Sequence, residues 1–245
     1  MNIVRLEETA STNSYLADHA DELPTGTVVV ADTQTAGRGQ RGNSWESEPG
    51  KNLTFSMLLR PSFVSAREQF LISRAVSVGI ATVLSKFTKG GEEVAIKWPN
   101  DIYVGGQKIA GILIENSLMG KDISRSIVGV GLNVNQLQFR SDAPNPVSII
   151  HLTGEETPLG PLLEEVAASM SRRVESLRGA DGRAEVTRLY DSMLWRRDGF
   201  YPYVTAQGEP FQGEIVGIAP DGVMTLRDET GREREFAFKE VHFVI

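Results

Sequence analysis

The run Gly37-Arg38-Gly39-Gln40-Arg41-Gly42 leads into a loop and then a strand, and this context limits the fold more than any other feature of the chain. Thr27 to Thr33, just before it, is β-branched and apolar and reads as a strand. Gly37, Gly39 and Gly42 have the letter spacing of the dinucleotide fingerprint. That fingerprint works only where a helix opens at its end, so that a pyrophosphate meets the helix amino terminus. The sequence after Gly42 is NSWESEPGKNLTF, loop and then strand, so the doubly wound dinucleotide fold fails on context. The Gly-Lys-Ser/Thr ending of a P-loop is absent too. What remains is a loop of bare amides with two guanidinium groups, Arg38 and Arg41, suited to a phosphate or a carboxylate. Its glycines would let it close over a ligand; a surface loop with incidental arginines is the plainer alternative.

The rest of the chain reads as a mixed α and β protein. Ser11 precedes a short helix, Thr12 to Leu23, as a side-chain cap, and Pro24 stops it. Asn52 to Leu59 is a strand closed by Arg60-Pro61. From Ala66 to Lys89, Phe70, Leu71, Ala75, Val78, Gly79, Thr82, Val83 and Phe87 recur on one broad helical face, ended by Gly90-Gly91. Val94 to Trp98 is a strand, and Ile102 to Val104 with Gln107 to Glu115 flank Gly105-Gly106, a two-residue hairpin signal. Ser124 to Asn135 is a strand whose Gly129 and Gly131 predict a close approach to the backbone. Pro158 to Leu177 and Ala184 to Trp195 read as amphipathic helices packed on the sheet. From about Phe200 short alternating segments separated by turns such as Pro220-Asp221-Gly222 predict a small β-barrel. The expected division is residues 1–198 as one catalytic domain and 199–245 as the barrel.

Composition removes several function classes. A net charge of −7 argues against a surface that grips a nucleic-acid backbone, because such binding depends on clustered lysine and arginine. No stretch approaches a bilayer span and the start lacks a leader pattern, so the expectation is a cytoplasmic protein with no membrane partner. With no cysteine there is no disulfide, thiolate metal site or cysteine nucleophile. His19, His151 and His242 stand far apart in no metal spacing and read as surface or satisfied polar residues.

Chemistry concentrates around Lys97-Trp98-Pro99-Asn100-Asp101, where a lysine and a tryptophan interrupt an apolar strand and polar or rigid residues sit at its exit. With a two-residue turn at Gly105-Gly106, Tyr103 lies opposite Lys108 and Asp101 opposite Ala110, so that Asp101, Tyr103 and Lys108 share a face. A surface salt bridge would look the same at this level. Gly111 removes a side chain where a ligand ring could lie. Ser11-Thr12-Asn13 can cap a helix and also hydrogen-bond a small polar head group. Trp45 could stack on an adenine or pack the glycine loop down.

Four elements occur in one order: Ser11-Thr12-Asn13; Gln34 through GRGQRG to Trp45; KWPND at Lys97 to Asp101; and KIAGILIE at Lys108 to Glu115. With GVGLNVN at Gly129 to Asn135 and the terminal barrel, the set resembles the biotin protein ligase family over nearly the whole chain. The resemblance implies an α+β fold, a mixed β-sheet packed with helices of the class II synthetase-like, biotinyl-lipoyl ligase type, followed by an SH3-like β-barrel. It implies an enzyme that activates biotin with ATP and magnesium as biotinyl-5′-AMP and transfers it to a lysine of a biotin carboxyl carrier protein domain. By motif position, Ser11, Thr12, Asn13, Gln34, Gly37, Arg38, Gly39, Gln40, Lys108 and Gly111 would surround biotin. Arg41, Trp45, Lys97, Asn100, Asp101, Ile112 and Asn133 would face ATP, with Asp101 as the magnesium ligand. Arg38, Lys97 and Lys108 would be catalytic through their charge, and Gly37 to Gly42 would fold over the adenylate. Gln40 departs from the arginine common at its position. The amino-terminal helix-turn-helix domain of bifunctional members is not expected, since the catalytic core begins with the chain.

The residue types fit that chemistry. A carboxylate must attack the α-phosphorus of ATP, so two anions have to be brought together and charge stabilised on the phosphorus oxygens and departing pyrophosphate. An acceptor lysine then displaces AMP, with no enzyme nucleophile required. Octanoyl transfer of this general type uses cysteine and is set aside by its absence. A lipoate ligase, which also adenylates its acid, is the alternative enzyme. A repressor or ligand-binding module would need a recognition helix pair or the loss of the charged residues.

Overall fold

The computed structural model describes residues 1–39, 44–88, 93–140 and 145–245. The glycine-loop residues Gln40, Arg41 and Gly42, and the helix-ending Gly90-Gly91, lie outside them. A seven-stranded sheet runs in the order β1 (Ile3–Thr9), β2 (Val28–Gln34), β3 (Leu53–Leu59), β7 (Asp122–Leu132), β6 (Gln107–Met119), β5 (Asp101–Val104), β4 (Val94–Lys97). Only β1 and β2 are parallel, joined across α1 (Thr12–His19); the other neighbours are antiparallel. Strand β1 is an addition to the elements read from sequence. Ser11 stands at the amino end of α1, but its hydroxyl caps no backbone amide, which corrects the cap reading.

Alternation along the central strands divides the sheet into two unlike faces. Val28, Val30, Phe55, Met57, Val128, Val130, Ala110 and Ile112 point to one side and join the main core. Helix α2 (Phe70–Leu84) covers this side; after the short α3 (Ile149–Thr153), α4 (Leu159–Ser176) and α5 (Ala180–Ser192) pack chiefly on α2 rather than directly on the sheet. That second layer explains a departure from the single apolar face predicted for α2, which is buried on nearly every side. The other side of the sheet carries Thr54, Ser56, Gly129, Gly131 and Gly111, a floor of small residues, beside the patch of Leu16, Val29, Leu58 and Ile127 that seats α1.

The hairpin at Gly105-Gly106 forms with both glycines at positive φ, 55° and 80°, as its tight turn requires. Its register differs from the expectation beyond the first two pairs. Tyr103 faces Lys108 as predicted, but Ile102 pairs with Ala110 and Asp101 with Gly111, leaving Ile109 as the extra residue of a bulge. The bulge turns Ala110 into the core and Gly111 to the same side as Lys108.

The carboxy-terminal segments form a second antiparallel sheet in the order β11 (Glu233–Phe236), β10 (Met224–Asp228), β9 (Pro210–Ile218), β8 (Tyr201–Thr205), β12 (Val241–Phe243). Its Tyr203, Met224, Leu226, Phe236 and Val241 belong to the same core as the first sheet. Trp98 fixes the junction by donating from Nε1 to the Gly222 carbonyl at 3.0 Å. Arg74 of α2 donates to the Ile218 carbonyl across it. Among the described residues no helix is long and apolar enough to cross a membrane.

Candidate active site

A cavity of about 860 Å³ opens over the floor of small residues, walled by α1, the segment Ser44 to Glu46, the β4–β5 turn and the carboxy-terminal sheet. At one end, the buried Thr12 and Asn13 sit in a polar net. Gln34 Oε1 accepts from the Thr12 amide at 2.8 Å and from its hydroxyl at 3.1 Å. Ser56 Oγ lies 2.7 Å from Thr12 Oγ1 and 2.5 Å from Asn13 Oδ1, and Asn13 Nδ2 donates to Glu115 Oε2 at 2.6 Å. Gly129 is required beneath this net, because a Cβ there would run into the Asn13 amide. Arg38, exposed at the rim, reaches Ser14 Oγ at 3.3 Å and Glu115 at 3.5 Å. Ser11 and Gly39 also line the cavity, whereas Gly37 packs under the Gln34 amide and the Trp45 carbonyl instead.

In the middle the Trp45 indole lies across Gly111 and Gly131, which are directly paired on β6 and β7. A side chain at either glycine would meet the ring, at 3.1 Å from Cζ3 for Gly111 and within contact of Cε2 for Gly131. Gly131→Ala is therefore expected to push the indole off the floor. The tryptophan emission that distinguishes this variant from its Trp45→Phe counterpart should move, and an unchanged difference spectrum would count against this seat.

At the far end the Lys108 ammonium pairs with Asp101 Oδ1 at 2.7 Å and stands 5.8 Å from the Trp45 ring centroid. This pair is more than the surface salt bridge that the sequence left open, since both side chains are largely buried. Lys97 Nζ lies 5.3 Å from the ring centre of Tyr103 and 5.2 Å from that of Phe243. Burial pushes the Lys97 ammonium below the ordinary lysine range, against the pull of Asp101. Asn100 is locked to Ile112 through backbone and side chain, so Ile112 serves the site by its peptide while its side chain belongs to the core. Asn133 donates from Nδ2 to the Val147 carbonyl at 3.1 Å, and its buried Oδ1 has no partner among the described residues.

Sequence reasoning misses two residues of the polar net and one wall of the cavity. Ser56 is the buried hub beneath Thr12 and Asn13, and its one signal is a polar residue inside NLTFSMLL. Glu115 ends KIAGILIE with no signal of its own role, yet it ties Asn13 to Arg38. Phe238, His242, Phe243 and Ile245 close the cavity from the carboxy-terminal sheet, which no local pattern announces. The other two histidines are satisfied locally, His19 against the Tyr15 carbonyl and His151 against the Ser148 amide.

A mixed sheet banked with helices on one face, bearing on the other a small-residue floor between a polar net and a cluster of lysines, defines the class of acyl-activating protein ligases. The model of the Biotin/lipoate A/B protein ligase family matches residues 6–133, and the chain belongs to that family. A biotin–protein ligase 2 of Arabidopsis thaliana is 37% identical over 93% of this chain and 72% of its own length. A biotin–[acetyl-CoA-carboxylase] ligase of Paracoccus denitrificans is 29% identical over 93% of this chain and 95% of its own. Among solved structures, a biotin protein ligase from Aquifex aeolicus in complex with biotin and ATP superposes with a TM-score of 0.81 at 25% identity, covering 99% of each chain.

Proposed function

We propose that the chain is an ATP-dependent biotin–protein ligase that forms biotinyl-5′-AMP and passes the biotinyl group to a lysine of a biotin carboxyl carrier domain. The carrying observation is the cavity's polarity: a hydrogen-bonding net of Gln34, Thr12, Ser56 and Asn13, anchored on Glu115, at one end and Lys97 with the Asp101–Lys108 pair at the other. A ureido head group, rich in amide-like donors and acceptors, suits Thr12, Asn13 and the Ser56 hub. Its carboxylate then reaches toward Lys108, which must exchange Asp101 for the incoming anion. Relatives matched over most of this chain carry biotin, not lipoate, in their names, so the lipoate reading is not favoured.

The adenylating step joins a carboxylate oxygen to the α-phosphorus and breaks its bond to pyrophosphate. Lys97, Lys108 and Arg38 would offset the charge gathered there. Asn100, the Asn133 carboxamide and Trp45 would face the nucleotide, with the Trp45 ring lying flat on the glycine pair. No group of three histidine or acidic side chains that could hold a metal is found among the described residues. A lone Asp101 fits magnesium that arrives on ATP phosphates, which typically needs only one or two protein carboxylates. Such an ion would neutralise phosphate charge. In the second step the acceptor amine displaces AMP at the acyl carbon without an enzyme nucleophile.

We assign this chemistry to residues 1–198 with the carboxy-terminal unit, 199–245, as its wall, and infer a cytoplasmic setting in which neither nucleic acid nor membrane takes part. The test is incubation with ATP, magnesium and either biotin or lipoate, followed by mass spectrometry. Biotinyl-adenylate is expected with biotin only; a lipoyl-adenylate alone would overturn the assignment.

A further inference from the structure

We propose that Phe243 is a positioning residue for Lys97, so that the carboxy-terminal sheet holds a charged group of the adenylating site in place. Lys97 ends β4 and makes no ion pair among the described residues; its ammonium is flanked by the faces of Tyr103 and Phe243, at 5.3 and 5.2 Å. Such contacts strengthen as the cation loses water, and this lysine is partly buried. Phe243 is held in turn. It pairs with Tyr203 across β12 and β8, with ring centres 4.9 Å apart, and packs on Trp195 at 5.6 Å. Trp195 reaches back to the lysine's own strand, its amide donating to the Ile96 carbonyl at 2.9 Å and its ring 5.1 Å from Tyr103. The Arg196 guanidinium donates to the Val244 carbonyl at 2.8 Å and pins the end of β12. The rings thus join β4, β5, the segment after α5 and β12 around one ammonium group.

This inference rests on the assignment of Lys97 to the nucleotide, and the experiment separates the two. The full-length protein is assayed for pyrophosphate release with biotin and ATP. A wild-type protein that makes no adenylate removes the functional reading itself. Given wild-type activity, Phe243→Leu is expected to lower kcat/KM for ATP about 10-fold, within the range of a desolvated cation–ring contact, while KM for biotin stays within about 2-fold. Phe243→Tyr, which keeps the ring, should recover most of that loss, and Phe243→Met, of similar bulk without a ring, should not. In a Lys97→Met background the leucine variant should cost nothing further, as expected of a residue that acts through Lys97. Equal loss in both backgrounds, an equal shift in KM for biotin, or full activity in the methionine variant would each overturn the proposal. Should the leucine variant fail to fold, the tyrosine and methionine variants decide the same question.

Discussion

Lys108→Ala is expected to fold and to form acyl-adenylate about 10² to 10³ times more slowly, the usual loss when one preorganised charge-stabilising donor is removed. The variant deletes the cation nearest the glycine floor and leaves Asp101 facing two incoming anions. Its stability cost is larger than position beside a hairpin turn would give, about 0.5 kcal/mol for an ordinary surface site. Asp101 and Lys108 are largely buried and 2.7 Å apart, so stripping one partner from the pair costs about 1–3 kcal/mol. Adding Asp101→Asn removes the stranded carboxylate, and the double variant should regain melting temperature without regaining rate. Thermal unfolding and pyrophosphate release measure the two effects. An unchanged rate in the single variant would sink the role given to Lys108.

Gly129→Ala should be nearly as damaging from the opposite end. A methyl group at this position occupies the space of the Asn13 amide, which is buried and gripped by Ser56 and Glu115. Overpacking of this kind costs about 1–3 kcal/mol. If Asn13 is driven off the floor, about two hydrogen bonds to the head group go with it, so biotin affinity should fall roughly 100-fold. The double variant Asn13→Ala/Gly129→Ala gives the methyl room and should melt near the wild-type temperature while binding biotin no better. Calorimetric titration with biotin supplies the affinities. Wild-type affinity in Gly129→Ala would show that Asn13 does not bind the head group.

Local patterns are enough to find the strands other than β1, the principal helix and the residues of the site where chemistry interrupts apolar runs, as at Lys97 and at Gly129 and Gly131. Interactions between distant segments were not legible. Strand β1 pairs in parallel with β2 across a helix, a contact that depends on chain return rather than on its own letters, IVRLEET. The all-round burial of α2 comes from α4 and α5 closing over it, far along the chain. Thr12, Asn13, Ser56 and Glu115 meet across as many as 102 positions of sequence separation, so their net has no linear signature. The register error at Asp101 came from treating the hairpin as regular, since nothing in KIAGIL marks Ile109 as the unpaired residue.

That one extra residue acts as a parity switch. Upstream of it Lys108 has the even number, and downstream the side facing the cavity belongs to the odd numbers Gly111, Leu113 and Glu115. Were Ile109 paired with Ile102 in regular register instead of bulged, every later letter would reverse its meaning if the hairpin held its turn: the core would receive Glu115 and the cavity Ile114. Deleting Ile109 removes only the bulge, since Ala110 and Gly111 keep Ile102 and Asp101 as partners and keep their sides, whereas deleting a residue farther along, where β6 is paired with β7, forces the strand either to slide or to invert. Substitutions along this strand should thus be tolerated according to number parity, and a one-residue deletion should be tolerated better at Ile109 than at any position from Gly111 to Glu115.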